Sequence, residues 1–369
     1  MKLIRVQRLI NLKIAKAFRT TSTEALCTLT GLTPIIIKLQ EISKAYNILK
    51  GKEIANLDTA IPLKEWPHPT NYTGIEDVDP AKHYTVKIYT DGSKSIEGVG
   101  SGVVVLLNDQ VAQQLQYKLD DRCSNNQAEQ VAILKALEII PEVQLNLNYP
   151  KTLALYTDSK ITIDSLKNTR NHNHLIENIR QVLSYLKGNH WTVDISWVKA
   201  HIGVYGNELA DHLAKQAARS DEPISYNKVP KTEVLKRLRE ESMKSWEREW
   251  RATNNGTETK KYFPSIAERL EVKIPITPGL TTMLTGHGRI KAYFHRFRIT
   301  SDATCPCDGG DQTVDHLLLE CPKYDRQRHT LRERITNKGG VWPAERKDLI
   351  KKYLKDYCKY VNAIDFTTN

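Results

Sequence analysis

Two carboxylates stand where a short apolar run gives way to a polar stretch and two more stand early in helical segments, and this pattern restricts the fold more than any other feature of the chain. Asp91 lies in Tyr89-Thr90-Asp91-Gly92-Ser93 and Asp158 in Leu155-Tyr156-Thr157-Asp158-Ser159. Glu129 lies in Asn125-Asn126-Gln127-Ala128-Glu129, and Asp211 follows Gly206-Asn207-Glu208-Leu209-Ala210. The runs ahead of Asp91 and Asp158 have strand length, whereas Glu129 and Asp211 stand early in segments with helical periodicity. Strands are predicted over 85–90 (followed by a turn at 91–93), 100–107, 113–117, 152–157 and 190–198. Helices are predicted over 125–140, with Ser124 as N-cap, and over 161–167, 174–186 and 207–218. Three strands, a helix, a strand, two helices, a strand and a helix make an α/β fold, a mixed five-stranded sheet with helices on both faces. Two strand ends and two helix starts can then share one rim of the sheet.

Singly, each acid has an ordinary structural use in an Asp-Gly turn, a helix cap or a helix dipole. Together they form a set that cannot all ionise at one rim unless cations neutralise them. Oxygen ligands of this kind suit Mg²⁺ or Mn²⁺. Two such ions, about 3.5–4 Å apart, activate a water and stabilise a leaving oxygen during phosphodiester hydrolysis.

Charge points to the same class of partner. Lys and Arg number 54 against 43 Asp and Glu, a net +11, and each phosphate neutralised by such a surface releases counterions. Basic segments at Lys231–Arg251 and Arg289–Arg298 are candidates to grip nucleic acid. No run of eighteen apolar residues occurs, so no membrane partner is expected. Met1 to Thr23 carries no acid. It reads as a basic amphipathic helix within an intracellular protein, nuclear or cytoplasmic, with a mitochondrial targeting segment as the alternative. The six cysteines are spaced too unevenly for a disulfide framework. Cys305, Cys307, His316 and Cys321 form C-x-C-x8-H-x4-C, a donor set that can close around one structural Zn²⁺. The single residue between the first two cysteines is tighter than the commoner spacing.

The ordered motifs Thr90–Ser93 (TDGS), Asn125–Glu129 (NNQAE), Thr157–Ser159 (TDS) and Lys199–Asp211 (KAHIGVYGNELAD) resemble type 1 ribonuclease H. The resemblance implies a ribonuclease H-like fold over 83–220 and an endonuclease acting on the RNA strand of RNA–DNA hybrids with two Mg²⁺ or Mn²⁺ ions. It implies that Asp91, Glu129, Asp158 and Asp211 hold the metals and that His201 assists proton transfer or product release. It also implies that Ser93, Asn126, Gln127 and Asn207 contact the hybrid. Asn168–Asn173 leaves no room for the family's extra basic helix, so this chain resembles the short form.

A wider likeness covers most of the chain. Val6-Gln7-Arg8, Phe18–Leu26, Leu284–Gly288 and His316–Pro322 resemble segments after the polymerase in insect R1- and Jockey-like non-LTR retrotransposons. The likeness implies a Pol polyprotein whose reverse transcriptase domain supplies a partner activity. Asp120-Asp121 reads as a turn and not as a polymerase site. The expected divisions are a helical connector at 1–56, a linker at 57–82, the nuclease at 83–220, a basic helical region at 221–300, a small Cys/His zinc module at 301–330 and a helical tail at 331–369. The competing function is a retrotransposon-derived protein that binds nucleic acid without cutting it.

Overall fold

The computed structural model describes residues 2–51, 56–68, 74–142, 149–199 and 203–366. Two compact units emerge, one of residues 45–237 and one of residues 1–44 together with 238–369. The first is therefore an insertion, in sequence, within the second. Helices α1 (Lys2–Ala15), α2 (Thr23–Thr30) and α3 (Ile35–Gly51) begin the chain, and the boundary between the units falls inside α3.

In the 45–237 unit a two-residue strand β1 (Leu57–Asp58) precedes β2 (Val86–Ser95), β3 (Gly98–Leu107) and β4 (Gln110–Leu119). Then come α4 (Asn125–Glu138), β5 (Thr152–Thr157), α5 (Lys160–Lys167), α6 (His174–Gly188), β6 (Thr192–Trp197) and α7 (Tyr205–Arg219). Two short strands, β7 (Ile224–Tyr226) and β8 (Val229–Pro230), close the unit. The main sheet has six strands in the order β6-β5-β2-β3-β4-β7, one more than the sequence pattern predicts. The added edge strand, β7, runs parallel to β4. β2, β3 and β4 form an antiparallel meander, and β5 and β6 run parallel to β2.

β3 reads Gly-Val-Gly-Ser-Gly-Val-Val-Val-Leu-Leu and is buried along almost its whole length. Both of its faces are covered, which explains an apolar run without alternation. Val86, Ile88, Val103 and Val105 join α4, α5 and α6 in the main core, whereas Val104 and Leu106 meet Ala210 and Leu213 of α7 on the other face. Helix α7 approaches so closely that a Cβ at Gly102 would lie 2.1 Å from the Ala210 carbonyl oxygen. Only glycine permits that contact.

The expected turn at Asp91-Gly92-Ser93 is corrected. β2 continues to Ser95 because Asp91, Gly92 and Ser93 pair with Gly102, Ser101 and Gly100 of β3, and the chain reverses only at Ile96-Glu97. Asp91 is thus an interior strand residue.

The second unit resumes within α8 (Lys231–Ala252) and adds α9 (Thr257–Tyr262), α10 (Ile266–Glu271), α11 (Pro278–Thr285), α12 (Lys291–Arg296), α13 (Asp325–Asn337), α14 (Arg346–Lys351) and α15 (Leu354–Asn362). Leu26 and Leu29 from the start of the chain share a core with Met283, Leu284, Leu317 and Tyr357. The connector, basic region, Cys/His segment and tail separated by sequence texture therefore pack together. Trp246 and Trp250 of the charged α8 stretch are buried in this unit. Arg237 and Arg251 pair along α8 with Glu233 and Glu247, so these two cations of the stretch are internally balanced. Among the described residues no single helix is long and apolar enough to cross a membrane.

Candidate active site

The rim forms where β5 stops short of β2. Thr90 pairs with Thr157, the last residue of β5, so the next residues on each strand are Asp91 and Asp158. Glu129 comes from the second turn of α4. Ser124 and Gln127 form a reciprocal capping box that starts this helix. Helix and strand touch at Gly92, where a Cβ would sit 2.4 Å from the Glu129 backbone nitrogen. Any larger residue would push α4, and Glu129 with it, away from Asp91. As a result, Asp91, Glu129 and Asp158 each offer a carboxylate oxygen, and these oxygens all lie within 4.8 Å of one another.

Asp91 and Glu129 are each only 5% exposed. The Gly92 N–H donates to Asp91 Oδ1 at 2.7 Å. Burial, then the charges of Asp158 and Asp211, nevertheless raises Asp91 to about 7. Burial and the charges of Asp91 and Asp158 raise Glu129 well above the usual carboxylate range. Glu129 Oε2 is buried with no hydrogen-bond partner. Buried acids crowded together in this way, one with an unsatisfied oxygen, fit a site that takes hard divalent cations.

Asp211, on the second turn of α7, is close enough to repel Asp91 electrostatically but stands outside the group of three. Lys215, one turn on, donates to its Oδ2 at 2.6 Å. The anticipated quartet is thus three converging acids and a neighbour held by its own helix. His201 lies outside the described residues.

The anticipated hybrid contacts divide in two. Asn126 is exposed and Ser93 half-buried. Gln127 is turned inward: its Oε1 accepts from the Ser124 N–H at 2.9 Å, and its Nε2 donates to Asp58 Oδ2 at 2.7 Å and to the Lys228 carbonyl at 3.2 Å. The side chain expected on the substrate therefore fastens the start of α4 to the β1–β8 pair. Asn207 is also buried, with Oδ1 unpartnered. Sequence reasoning overlooked a stacked ring pair, Tyr89 and Tyr156, with centroids 4.9 Å apart. Their positions two residues before Asp91 and Asp158, on paired strands, were the available signal.

The Cys/His cluster also assembles. Cys305 Sγ and Cys321 Sγ are 3.8 Å apart, and Cys307 Sγ lies 3.2 Å from His316 Nε2. A single π-turn spans His316–Glu320 and is closed by Cys321 N–H donating to the His316 carbonyl at 2.8 Å, which brings the last two donors together. Tetrahedral Zn–S bonds of about 2.3 Å separate two sulfurs by about 3.8 Å, so the donors fit that ion. Glu320 Oε2, 3.4 Å from His316 Nδ1, is placed to orient the ring.

The ribonuclease H family model matches residues 83–219. A ribonuclease H of Ruthia magnifica subsp. Calyptogena magnifica is 34% identical over 143 residues, covering 35% of this chain and 92% of that protein. The Pol polyprotein of a type-1 retrotransposable element R1 from Popillia japonica is 27% identical over 206 residues, 54% of this chain and 77% of that protein. An R1 Pol polyprotein from Nasonia vitripennis is 30% identical over 101 residues, which are 27% of this chain and only 26% of the longer protein. With its acids gathered on a mixed sheet and its near full-length match to a bacterial enzyme, the chain belongs to the ribonuclease H family and is homologous to R1 Pol polyproteins.

Proposed function

We propose that the 45–237 unit hydrolyses the RNA strand of RNA–DNA hybrids, using two divalent cations, as the nuclease part of an R1-like non-LTR retrotransposon Pol protein. The observation that carries this reading is the convergence of Asp91, Glu129 and Asp158 within 4.8 Å, from β2, α4 and the end of β5. These three carboxylates would hold Mg²⁺ or Mn²⁺, with Asp211 completing the set. Bound there, the cations would activate a water and stabilise the departing oxygen.

The chain's own contribution is placement and charge. The Gly92 N–H fixes one oxygen of Asp91, and Lys215 restrains Asp211 until a stronger cation competes. Asn126 and Ser93 are available to the hybrid, where a 2′-hydroxyl distinguishes RNA from DNA. Water oxygen adds to phosphorus, the P–O3′ bond breaks and the proton passes to the leaving oxygen, giving a 5′-phosphate and a 3′-hydroxyl on the RNA. His201, on the segment before α7, is assigned to proton transfer or product release. Cys305, Cys307, His316 and Cys321 would hold one Zn²⁺ with no open position, a structural role. A reverse transcriptase domain of the same polyprotein is the expected partner, in the nucleus or cytoplasm.

The test is incubation of the full chain with end-labelled hybrid and Mg²⁺, beside double-stranded RNA. Hybrid-specific cleavage that disappears in Asp91→Asn and Asp158→Asn supports the assignment, and cleavage that survives either substitution sinks it. Salt-sensitive hybrid binding without any hydrolysis would favour a binding protein instead.

A further inference from the structure

The helical unit contains a cavity of about 400 Å³ formed by the segments around Thr20–Ser22, Asn254–Thr259, Gly286-His287 and Tyr293–Phe297. That size lies within the range of about 300–1,000 Å³ typical of small-ligand sites. Three features of its walls bear on what it holds.

One wall is aromatic. The rings of His287, Tyr293 and Phe297 cluster with centroid separations of 5.4, 4.8 and 5.8 Å. Thr20 Oγ1 ties two of them, lying 2.8 Å from Tyr293 Oη and 2.9 Å from His287 Nδ1. Phe297 remains 38% exposed, and the Arg296 guanidinium lies 5.7 Å from its centroid. A fixed ring surface with an open edge accepts a flat partner by stacking.

The interior carries unsatisfied polar atoms. Thr21 is 1% exposed, and its Oγ1 has no hydrogen-bond partner. Glu258 pairs with Lys261 through Oε2 at 2.8 Å, but its Oε1 is buried without a partner. Buried polar atoms are normally paired, and both residues line the cavity, so a small shift of the wall would offer this carboxylate oxygen and hydroxyl to N–H or O–H groups of a ligand. The edges of nucleobases supply such N–H groups in the plane of a stacking ring.

Arg296 lines the cavity, alongside Glu258 and Asp315, and belongs to a cationic segment of the chain. From Gly288 to Arg298 the sequence has Arg289, Lys291, Arg296 and Arg298 and no acid. Four cations in eleven residues match a run of phosphates better than one small anion. Aromatic surface combined with a basic track is the usual means of holding single strands.

We infer that this cavity seats one unpaired nucleotide of a single-stranded nucleic acid. Its base stacks at the Phe297 edge of the aromatic wall and points N–H groups toward Glu258, while the flanking phosphates meet Arg296 and Arg298. This site is separate from the carboxylate rim and does not depend on hybrid cleavage.

The experiment measures fluorescence anisotropy of the full chain in Mg²⁺-free buffer, with zinc retained, using labelled single-stranded 12-mers, RNA and DNA of one sequence, against the corresponding duplex. Phe297→Ala, which changes no charge, should weaken single-strand binding about tenfold, the scale of one lost stacking contact. Arg296→Ala should reduce the salt dependence by roughly one phosphate's worth of released counterions. Both variants should retain the wild-type melting temperature. The stronger of the RNA and DNA arms identifies the sugar. Single-strand binding unchanged by Phe297→Ala, or duplex bound as tightly as single strands, overturns the inference. A 5-iodouridine 12-mer should also crosslink within 287–297, and crosslinks confined to other segments count against it. Loss of hybrid cleavage in the wild-type chain would defeat the nuclease reading and leave these binding results standing.

Discussion

The carboxylate rim and the Cys/His cluster are both gatherings of metal-binding side chains, but they are assembled in opposite ways. Asp91, Glu129 and Asp158 come from three elements separated by dozens of residues, and they meet only because a sheet and a helix are already packed. The four Cys/His donors lie within one short segment whose other regular structure is a π-turn and a bridge between Thr304 and Asp311. In the first case the fold makes the site. In the second, a metal would make the local fold. Donor chemistry follows the same division, since hard oxygens with an unsatisfied atom leave room for substrate, whereas three sulfurs and an imidazole close the shell.

The sharpest way to break that contrast is at the rim. Asp91→Asn should reduce hybrid cleavage by about a thousandfold or more, on the scale of deleting a principal charge-stabilising group, measured as single-turnover rate in Mg²⁺. A loss of less than tenfold would mean that the gathered acids are not the reaction centre.

At the other cluster the loss should fall on stability. If zinc is present at a thousand times its dissociation constant, it stabilises the folded unit by about 4 kcal/mol. Removal of zinc by a zinc-selective chelator with Mg²⁺ kept in excess, or Cys321→Ser, should therefore lower the melting temperature of the helical unit while hybrid cleavage persists. Loss of cleavage with unchanged melting would reverse the roles assigned to the two clusters.

A third difference is pH. Asp91 is raised to about 7 in the folded chain, above the unfolded value of about 3.9. Its contribution to stability is therefore fully present below about pH 4 and is lost as pH rises through about 7. In EDTA the difference in stability between wild type and Asp91→Asn should grow by a few kcal/mol from pH 4.5 to 8, with the variant the more stable at the upper end. Mg²⁺ should narrow it. Denaturant titrations at each pH report the trend, and a difference independent of pH would contradict the burial and repulsion described.

The smallest effect concerns scaffolding at the rim. Gln127→Ala removes half of the α4 capping box and the bond to Asp58, and should cost about 1–2 kcal/mol in urea unfolding. A change in hybrid affinity without a change in stability would return this side chain to the substrate.

Much of the nuclease fold was legible because its signals are local. The apolar run 152–157 matches β5 residue for residue, and Ser124 caps α4 as its hydroxyl and the following helical pattern indicate. The acids were visible as ordered motifs, and the register of Thr90 with Thr157 explains why their rim positions coincide. What escaped was set by tertiary contact. β7 has only three residues, too few to show alternation. Gln127 reads as a polar surface residue until β1 and β8 arrive to accept its hydrogen bonds. The helical unit joins Leu26 to Tyr357, and no window along the chain can reveal such a pairing.

That joining has a consequence for synthesis. During translation residues 45–237 emerge in one uninterrupted stretch and can fold at once, whereas Leu26 and Leu29 must wait for core partners made more than two hundred residues later. Until then those leucines are exposed apolar surface on a nascent chain, the condition that invites chaperone capture or aggregation. A premature stop after α8 should therefore yield a competent nuclease attached to a sticky, half-finished N-terminal segment.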